Sequence, residues 1–600
     1  MHQRLKKHEP KQCASEPAPG SASIAYWLLA LALVLAIVSY APTLRYGFVF
    51  DDVQQIVENP AIRSWNSLPQ YFTAHVGAGT FPSVKGSFYR PLFLIWLRLN
   101  YIVFGLSPRG WHLTSLLAHL AVVCMFFALV RLWTRDGILG GWAALLFAVH
   151  PIHIEAVAWI SAVPEVLFAL AGMGSMYAYF RFRQQGQPVW LGISAAQFGL
   201  AGLAKETAVI IWPLMFIFQH WFDHDRPREE HSSCWVGTAK EQLPFAVITA
   251  IYFAMRFLAL QGMRGDVTHS LRELSCAAPS ITWFYLRKLL LPVELSQIYF
   301  DPDVWSFTAP HFYLPLIATG VVAAGLFLWI SKTKSAVFPV LLMAVSLIPP
   351  ILGVSVFPRH DLVHNRYLYL PSAGACMLVA LALRRATELR YSSRSTKTWI
   401  ATAIAVPLSM ALLVSVWIQE KPYRDNITLF SRSLELAPQG AMAWGLLGEE
   451  YMTLARYNEG IAAFQRAQFL EPNVLLNNYR LGAAYYLVGD MPAAEACFQR
   501  SLETYHDPDV ATYDYVLYRL GLSQYAQGKM PQAEGTLRRA TALQPKGFGY
   551  HMALGATLKY QGNLREAKRQ FELELQLGPD QQASALLQSV NAELSTGIPY

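Results

Sequence analysis

Apolar residues run in long blocks through the first two thirds of the chain, then give way to a short amphipathic repeat. A helix needs about 20 apolar residues to cross a bilayer. Runs near 23–41, 110–130, 138–150, 162–180, 189–204, 206–221, 243–260, 312–330, 336–353, 366–383 and 399–418 approach or reach that length, which predicts about eleven spans. A further stretch, 281–298, is apolar enough to enter lipid. Counting it as a crossing breaks the charge pattern described below, so it reads as re-entrant or interfacial. The first run follows a long charged preamble and ends at Ser39-Tyr40-Ala41-Pro42, a poor cleavage sequence, so it reads as an uncleaved anchor.

The tail repeats itself at 34 residues. Trp444, Leu447, Gly448, Tyr451, Phe464, Ala467 and Pro472 are followed by Leu481, Gly482, Tyr485, Gly489, Ala494 and Phe498. After a short insertion come Leu520, Gly521, Gly528, Ala533, Ala540 and Pro545, then Leu554, Gly555, Gly562, Ala567, Phe571 and Pro579. This is the tetratricopeptide pattern of paired antiparallel helices, with repeats near 441–474, 475–508, 514–547 and 548–581 and a half unit (Phe430, Leu434, Pro438) leading in. Such solenoids offer a concave surface to proteins or peptides, and a structural cap or dimerisation arm is the alternative. The fold class is therefore all-α: a polytopic membrane bundle over 23–418, preceded by a tail over 1–22, and an α-solenoid over 419–600.

Composition agrees with two unlike parts. Hydrophobic residues make up 54% of the 600 residues and charged residues 15%, against about 25% charged in a soluble protein. The net charge of +8 is unevenly placed: residues 419–600 carry 16 Lys+Arg against 19 Asp+Glu, and the rest 32 against 21. The excess is explained by topology, because basic residues collect in cytoplasmic loops. With Arg4, Lys6, Lys7 and Lys11 inside, the inside loops also hold Arg131, Arg135, Arg181, Arg183, Arg226, Arg228, Lys332, Lys334, Arg384, Arg385, Arg390, Arg394 and Lys397. An odd number of spans then places 419–600 on the outer side, periplasm or lumen. No basic, aromatic-interleaved stripe points to nucleic acid. The six cysteines (Cys13, Cys124, Cys234, Cys276, Cys376, Cys497) are scattered and set no disulfide framework.

Polar residues near spans are costly and usually functional, and here they gather on the outer side. The first outer loop, 42–109, holds Asp51-Asp52, Asn59-Pro60 and Tyr89-Arg90-Pro91. The second holds His150, His153, Glu155, Trp159 and Glu165; the third, Lys205-Glu206; another, Arg359, His360, Asp361, His364, Asn365, Arg366 and Tyr367. The spans themselves are nearly all apolar, so this is a surface site and not a conduit. Adjacent carboxylates suit a general base, though Asp51 or Asp52 could equally cap the helix DVQQIVEN. His150, His153 and Glu155 suit either zinc or a hydrogen-bond network. Arg366 and Lys205 suit a phosphate or snorkelling to headgroups. Walker and dinucleotide motifs are absent. A transferase facing outward needs a donor already activated in the membrane, which a lipid-phosphate sugar provides.

Together, F-x-x-D-D-x-x-x-I-x-x-N-P (Phe48, Asp51, Asp52, Ile56, Asn59, Pro60), YRPL, HPIHIEAVAWI, GLAGLAKET, NRYLYLPS and the repeats resemble the transmembrane and tetratricopeptide-repeat-containing O-mannosyltransferase-like family, of the GT-C class. The resemblance covers the chain from about residue 25. It implies a GT-C-type bundle that uses a polyprenyl-phosphate sugar, typically mannose, as substrate and transfers it with inversion to Ser/Thr hydroxyls of proteins. It maps the catalytic acids on Asp51 and Asp52, the first being the better base, and the donor phosphate on Arg366, with Lys205, the second candidate for the phosphate, lining the same site. Tyr89, Arg90, His150, His153, Glu155, Glu165, Glu206, His364 and Tyr367 then line the site. The family often has a basic residue two positions before the acid of the second loop; here Val163 precedes Glu165, and the base is missing. Nothing in the sequence dictates a metal. Expected partners are the lipid-linked sugar and a protein held by the repeats, with no nucleic acid. A non-enzymatic membrane scaffold, and an enzyme acting on a lipid or glycan acceptor, are the competing readings.

Overall fold

The computed structural model describes residues 21–80, 88–224, 234–262, 270–299, 306–353, 362–504 and 513–596, and every regular element among them is helical. The expected tail up to residue 20, the loop cations Arg226 and Arg228, and Arg359, His360 and Asp361 lie outside the described residues. The chain divides into two compact units, Met1–Leu429 and Phe430–Tyr600.

The first unit contains α1 (Ser21–Tyr40), α2 (Leu68–Thr73), α3 (Pro91–Phe104), α4 (Pro108–Thr134), α5 (Gly137–Ala148), α6 (Ile154–Ala158), α7 (Val163–Gln185), α8 (Pro188–Ala204), α9 (Ile211–His224) and α10 (Cys234–Leu260). It continues with α11 (Leu271–Leu290), α12 (Pro310–Lys332), α13 (Val337–Ser346), α14 (Ile348–Leu352), α15 (Tyr369–Arg390), α16 (Arg394–Gln419) and the start of α17 (Asn426–Leu436).

Eight helices among the described residues are long and apolar enough to cross a bilayer, and α5 with α6, bent by 54°, makes a ninth. The eleven expected spans resolve into these nine plus two short apolar helices, Pro188–Ala204 and Glu206–Gln219. The first outer loop is not all loop: α3 is an apolar helix of 14 residues inside it. Of the segment expected to be re-entrant, only the part up to Leu290 is helical. It belongs to an amphipathic helix started by a Ser270–Glu273 capping box.

Local sequence explains the turns. Gly186 ends α7 in the left-handed conformation (φ 70°) and Pro188 starts α8, giving a tight antiparallel hairpin. Asp136 caps α5, accepting from the Ile138 and Leu139 amides at 2.9 and 3.2 Å. Lipid is as apolar as leucine, so close packing rather than the hydrophobic effect joins the spans. Gly141 lets α5 lie on α1: a Cβ there would stand 2.6 Å from the Leu28 Cβ. Gly374 does the same for α15 on α13, where a Cβ would run into the Pro339 carbonyl and stand 2.9 Å from the Met343 amide nitrogen.

The second unit pairs α18 (Ala441–Thr453) with α19 (Tyr457–Leu470), α20 (Leu475–Val488) with α21 (Met491–Glu503), α22 (Tyr513–Ala526) with α23 (Met530–Leu543) and α24 (Tyr550–Tyr560) with α25 (Leu564–Leu577); α26 (Gln581–Thr596) follows. One device recurs in each pair. A Cβ on Gly448, Gly482, Gly521 or Gly555 would stand 2.6–2.8 Å from Phe464, Phe498, Leu537 or Phe571 of the partner helix. The missing side chain is what lets the helices of each pair close. Tyr479, Tyr515, Tyr518 and Tyr550 form a continuous row of ring contacts across three successive first helices, centroids 4.6–6.0 Å apart.

Candidate active site

The end of α1 delivers the chain into a strained turn. Phe50 adopts φ 52°, the left-handed region that costs an aromatic residue on the order of 1–3 kcal/mol. Three contacts hold it. The Phe50 amide donates to Asn426 Oδ1 at 2.7 Å, its ring lies 5.6 Å from that of Trp159, and the Gly47 amide donates to the Arg424 carbonyl at 3.2 Å. The segment just after the last span thus clamps the turn after the first.

The two acids that follow have different surroundings. Asp52 is fully buried. Its Oδ1 accepts from the Ser161 amide at 2.8 Å and the Ser161 hydroxyl at 2.6 Å, and its Oδ2 from the Val49 amide at 3.2 Å. Burial pushes its carboxyl up to about 7, against the pull of those bonds. Asp51 is half-buried and makes no hydrogen bond among the described residues. Burial pushes it up to about 6, and nearby Arg366 works the other way. Asp52, expected beside Asp51 as a catalytic acid, is pinned in place: three of its accepting positions fix the turn to Ser161 and Val49. It does not cap the following helix either.

Three ion pairs cluster together, with Arg366 of the first beside Asp51. The 54° bend at His150-Pro151 aims α6 so that buried Glu155 takes both the Arg366 guanidinium and, at 3.1 Å, its backbone amide. Lys205, between α8 and the short helix after it, pairs with Glu165 at the start of α7. Arg90 holds Glu206 through two hydrogen bonds of 3.1 and 2.8 Å. Tyr367 lies between two of the cations: its ring centre is 5.0 Å from the Arg366 guanidinium carbon and 4.5 Å from Lys205 Nζ. His364 meets the Tyr367 ring edge-on at 5.2 Å. The cation missing at Val163 is supplied instead by Lys205, from a different loop. Arg366 gives Glu155 only Nη1 and its backbone amide, and its Nε and Nη2 make no hydrogen bond among the described residues. Buried ion pairs stabilise little and are often matched by apolar replacements, so a set of three at one end of a bundle points to function.

Three residues placed on the site by sequence are held elsewhere. Tyr89 is fully buried against Tyr252 and donates to the Phe72 carbonyl at 3.1 Å. His150 faces the Leu289 carbonyl at 3.2 Å and accepts from the Ile152 amide. His153 bonds the Ser372 hydroxyl at 2.7 Å among the rings of Phe147 and Tyr369. His150, His153 and Glu155 thus serve different partners, and no group of three metal-ligating side chains is found among the described residues. Sequence reasoning missed Ser161 and Asn426. Neither belongs to a recognisable spacing, and both act through backbone or carboxylate contacts made more than 100 residues away in sequence.

Residues 89–262 match the family model described as dolichyl-phosphate-mannose-protein mannosyltransferase, and residues 441–474 and 473–546 match tetratricopeptide-repeat models. The chain is 24% identical over 509 residues to "Protein O-mannosyl-transferase TMTC3" of Homo sapiens, covering 78% of this chain and 54% of that one. It is related to the same transmembrane and repeat-containing family. The Mus musculus protein of that name is 25% identical over 508 residues, with the same shares covered. The Drosophila melanogaster "Protein O-mannosyl-transferase Tmtc3" is 23% identical over 557 residues, covering 81% of this chain and 59% of that one. The chain spans somewhat more than half the length of the curated O-mannosyltransferases it matches. The mannosyltransferase match includes Arg90, Glu155, Ser161, Glu165, Lys205 and Glu206, while Asp51, Asp52 and Arg366 fall outside it. The solved structure "Crystal structure of MamA" is 21% identical over 25% of this chain and 85% of that one, with a TM-score of 0.24.

Proposed function

We propose that this multi-pass membrane protein is an inverting glycosyltransferase. It transfers mannose from a polyprenyl-phosphate donor to Ser or Thr hydroxyls of proteins on the outer side of the membrane. Asp51 is the base. Its carboxylate takes the acceptor hydroxyl proton as the oxygen bonds to the sugar's anomeric carbon. The bond from that carbon to the phosphate oxygen breaks, and the electron pair leaves with the phosphate. Arg366 and Lys205 receive that charge: each has donors left over after its bond to Glu155 or Glu165. Tyr367 and Trp159 flank the guanidinium and keep it aimed.

The observation that carries this reading is the pairing of an unbonded carboxylate with an arginine that offers a free edge, at one end of an apolar bundle. The repeat unit recruits the acceptor chain, for which the half-buried tyrosines of its row, Tyr479, Tyr515 and Tyr518, supply a surface suited to an extended peptide. The test is incubation of purified full-length protein with labelled polyprenyl-phosphate mannose and candidate envelope or secretory proteins. Label enters protein and is lost with Asp51→Asn. No transfer from any lipid-linked sugar would sink the proposal, and label in lipid or glycan would change the acceptor. Function surviving in Asp51→Asn, Asp52→Asn and the double variant would favour a scaffold.

A further inference from the structure

A second polar feature lies at the other end of the bundle. The start of α1 and the ends of α4 and α7 enclose a cavity of about 880 Å³ lined by Tyr26, Phe127, Arg131, Arg135, Arg181 and Arg183, among others. Glu165 and Arg181 stand at opposite ends of α7. Sixteen residues of helix separate them by about 24 Å, close to the thickness of a hydrocarbon core. The cavity therefore faces the opposite membrane interface from the acidic turn.

Among the described residues, one of its four arginines is neutralised: Arg183 holds Glu241 through two bonds of 3.0 and 2.7 Å. Arg131 donates to the Tyr26 hydroxyl at 2.6 Å and lies over that ring. Arg181 lies over Trp190 at 5.3 Å, and its Nε is buried without an acceptor. Arg135 has no ion pair among the described residues. A cavity of about 500 Å³ lined by Trp133, Lys334 and Arg384 shows the contrast: there Arg384 is held by Asp136 at 2.9 Å and Glu388 at 2.8 Å.

Basic ends of spans are ordinary where they reach water singly, as charge topology and snorkelling require. Arg131 and Arg135 are exposed and Arg181 is half-buried; what neither rule accounts for is that three guanidiniums without an ion pair among the described residues meet at one cavity, one of them with a buried Nε that finds no acceptor. An anion answers both. We propose that this cavity binds the phosphate of an anionic membrane lipid. The guanidinium forks suit phosphate oxygens. The apolar part of the wall, with Leu29, Phe127 and Leu132, suits the start of the acyl chains. Basic pockets between spans bind anionic headgroups in this way.

The test is titration of the purified full-length protein with phosphatidylglycerol in mixed micelles, read by native mass spectrometry, with phosphatidylcholine and inorganic phosphate as parallel arms. Phosphatidylglycerol binds saturably and phosphatidylcholine does not. Each of Arg131→Gln, Arg135→Gln and Arg181→Gln weakens binding about fivefold, the equivalent of about 1 kcal/mol per cation. Arg384→Gln leaves it unchanged. Arg135→Gln, at an exposed helix end, gives the reading should a combined variant fail to fold. Equal affinity in the parent and in Arg135→Gln overturns the proposal. So does inorganic phosphate displacing the lipid at matched phosphate concentration, which would mark a soluble-anion site.

Discussion

Ser161→Ala tests whether the active turn is held as described. The hydroxyl supplies one of three donors to a fully buried carboxylate, at 2.6 Å, the shortest of the three. A hydrogen bond contributes about 1 kcal/mol to a neutral acceptor and about 1.5–3 kcal/mol to a charged one, and Asp52, raised to about 7, is present in both forms near neutral pH. Its loss leaves Asp52 with the Ser161 amide and the Val49 amide, so the turn persists but loosens. Asp51 is the next residue, and a misplacement of about 1 Å costs a reacting group on the order of 100-fold. We expect kcat to fall 10- to 100-fold in Ser161→Ala while KM for the donor lipid stays within about twofold, because the phosphate cations are untouched. Initial rates of label transfer across a range of donor concentrations give both constants. Ser161→Thr keeps the hydroxyl and restores most of the rate. In an Asp52→Asn background the serine change adds little, since both act through one contact. An unchanged kcat in Ser161→Ala, alongside an inactive Asp51→Asn, would refute the claim that Asp52 and Ser161 position the base. Additive losses in the double variant would refute the shared contact.

Three further outcomes follow from the geometry. With Asp51 raised to about 6, the base is about 91% ionised at pH 7 and about 9% at pH 5, so kcat/KM falls roughly tenfold between them; a profile flat across that range contradicts the assignment. Arg366→Lys keeps the charge but loses the fork, and should raise donor KM at least tenfold while Lys205 still binds some phosphate; saturation curves for the donor check it. Gly374→Ala forces a methyl against the Pro339 carbonyl, backbone that cannot step aside, and should destabilise the protein by about 1–3 kcal/mol, seen as a lowered midpoint of thermal unfolding in detergent.

Long apolar runs and the 34-residue repeat were legible because each is written locally, in consecutive residues or in a fixed period. So were Asp51, Arg366, Glu155, Lys205 and Glu206 as members of one polar face, since each sits at the end of an apolar run. Partner choice was not legible. Glu165 looked as though it had lost its cation, yet Lys205 provides one after the α7–α8 hairpin returns the chain to the same end. The His150–His153–Glu155 string looked like one cluster. The bend at Pro151 sends the three side chains to the Leu289 carbonyl, Ser372 and Arg366 instead. The left-handed Phe50 also leaves no mark, because nothing in an aromatic residue foretells φ 52°.

The charge arithmetic of the proposed reaction explains why the site is built from neutral pairs. Arg366 with Glu155, Lys205 with Glu165 and Arg90 with Glu206 sum to zero, so the remaining charges are those of Asp51, of the ionised fraction of Asp52, which keeps its state through the step, and of the donor phosphodiester. When Asp51 takes the proton it becomes neutral. When the anomeric bond breaks, the phosphate gains one negative charge. Total charge is conserved, and what changes is its position: one unit moves from the turn towards the free edge of Arg366 and the remaining donors of Lys205. A site preorganised in this way stabilises the product side of the transfer without having to rearrange water. It also ties the two halves of the step together, since a bound phosphate near Arg366 weakens the pull of that cation on Asp51 and raises its affinity for a proton. The base thereby strengthens when the donor is in place. The acid limb of the rate profile should accordingly lie at higher pH for kcat, which reports the donor complex, than for kcat/KM, which reports the free enzyme. Coincident limbs would mean that Arg366 and Asp51 are not coupled through the phosphate.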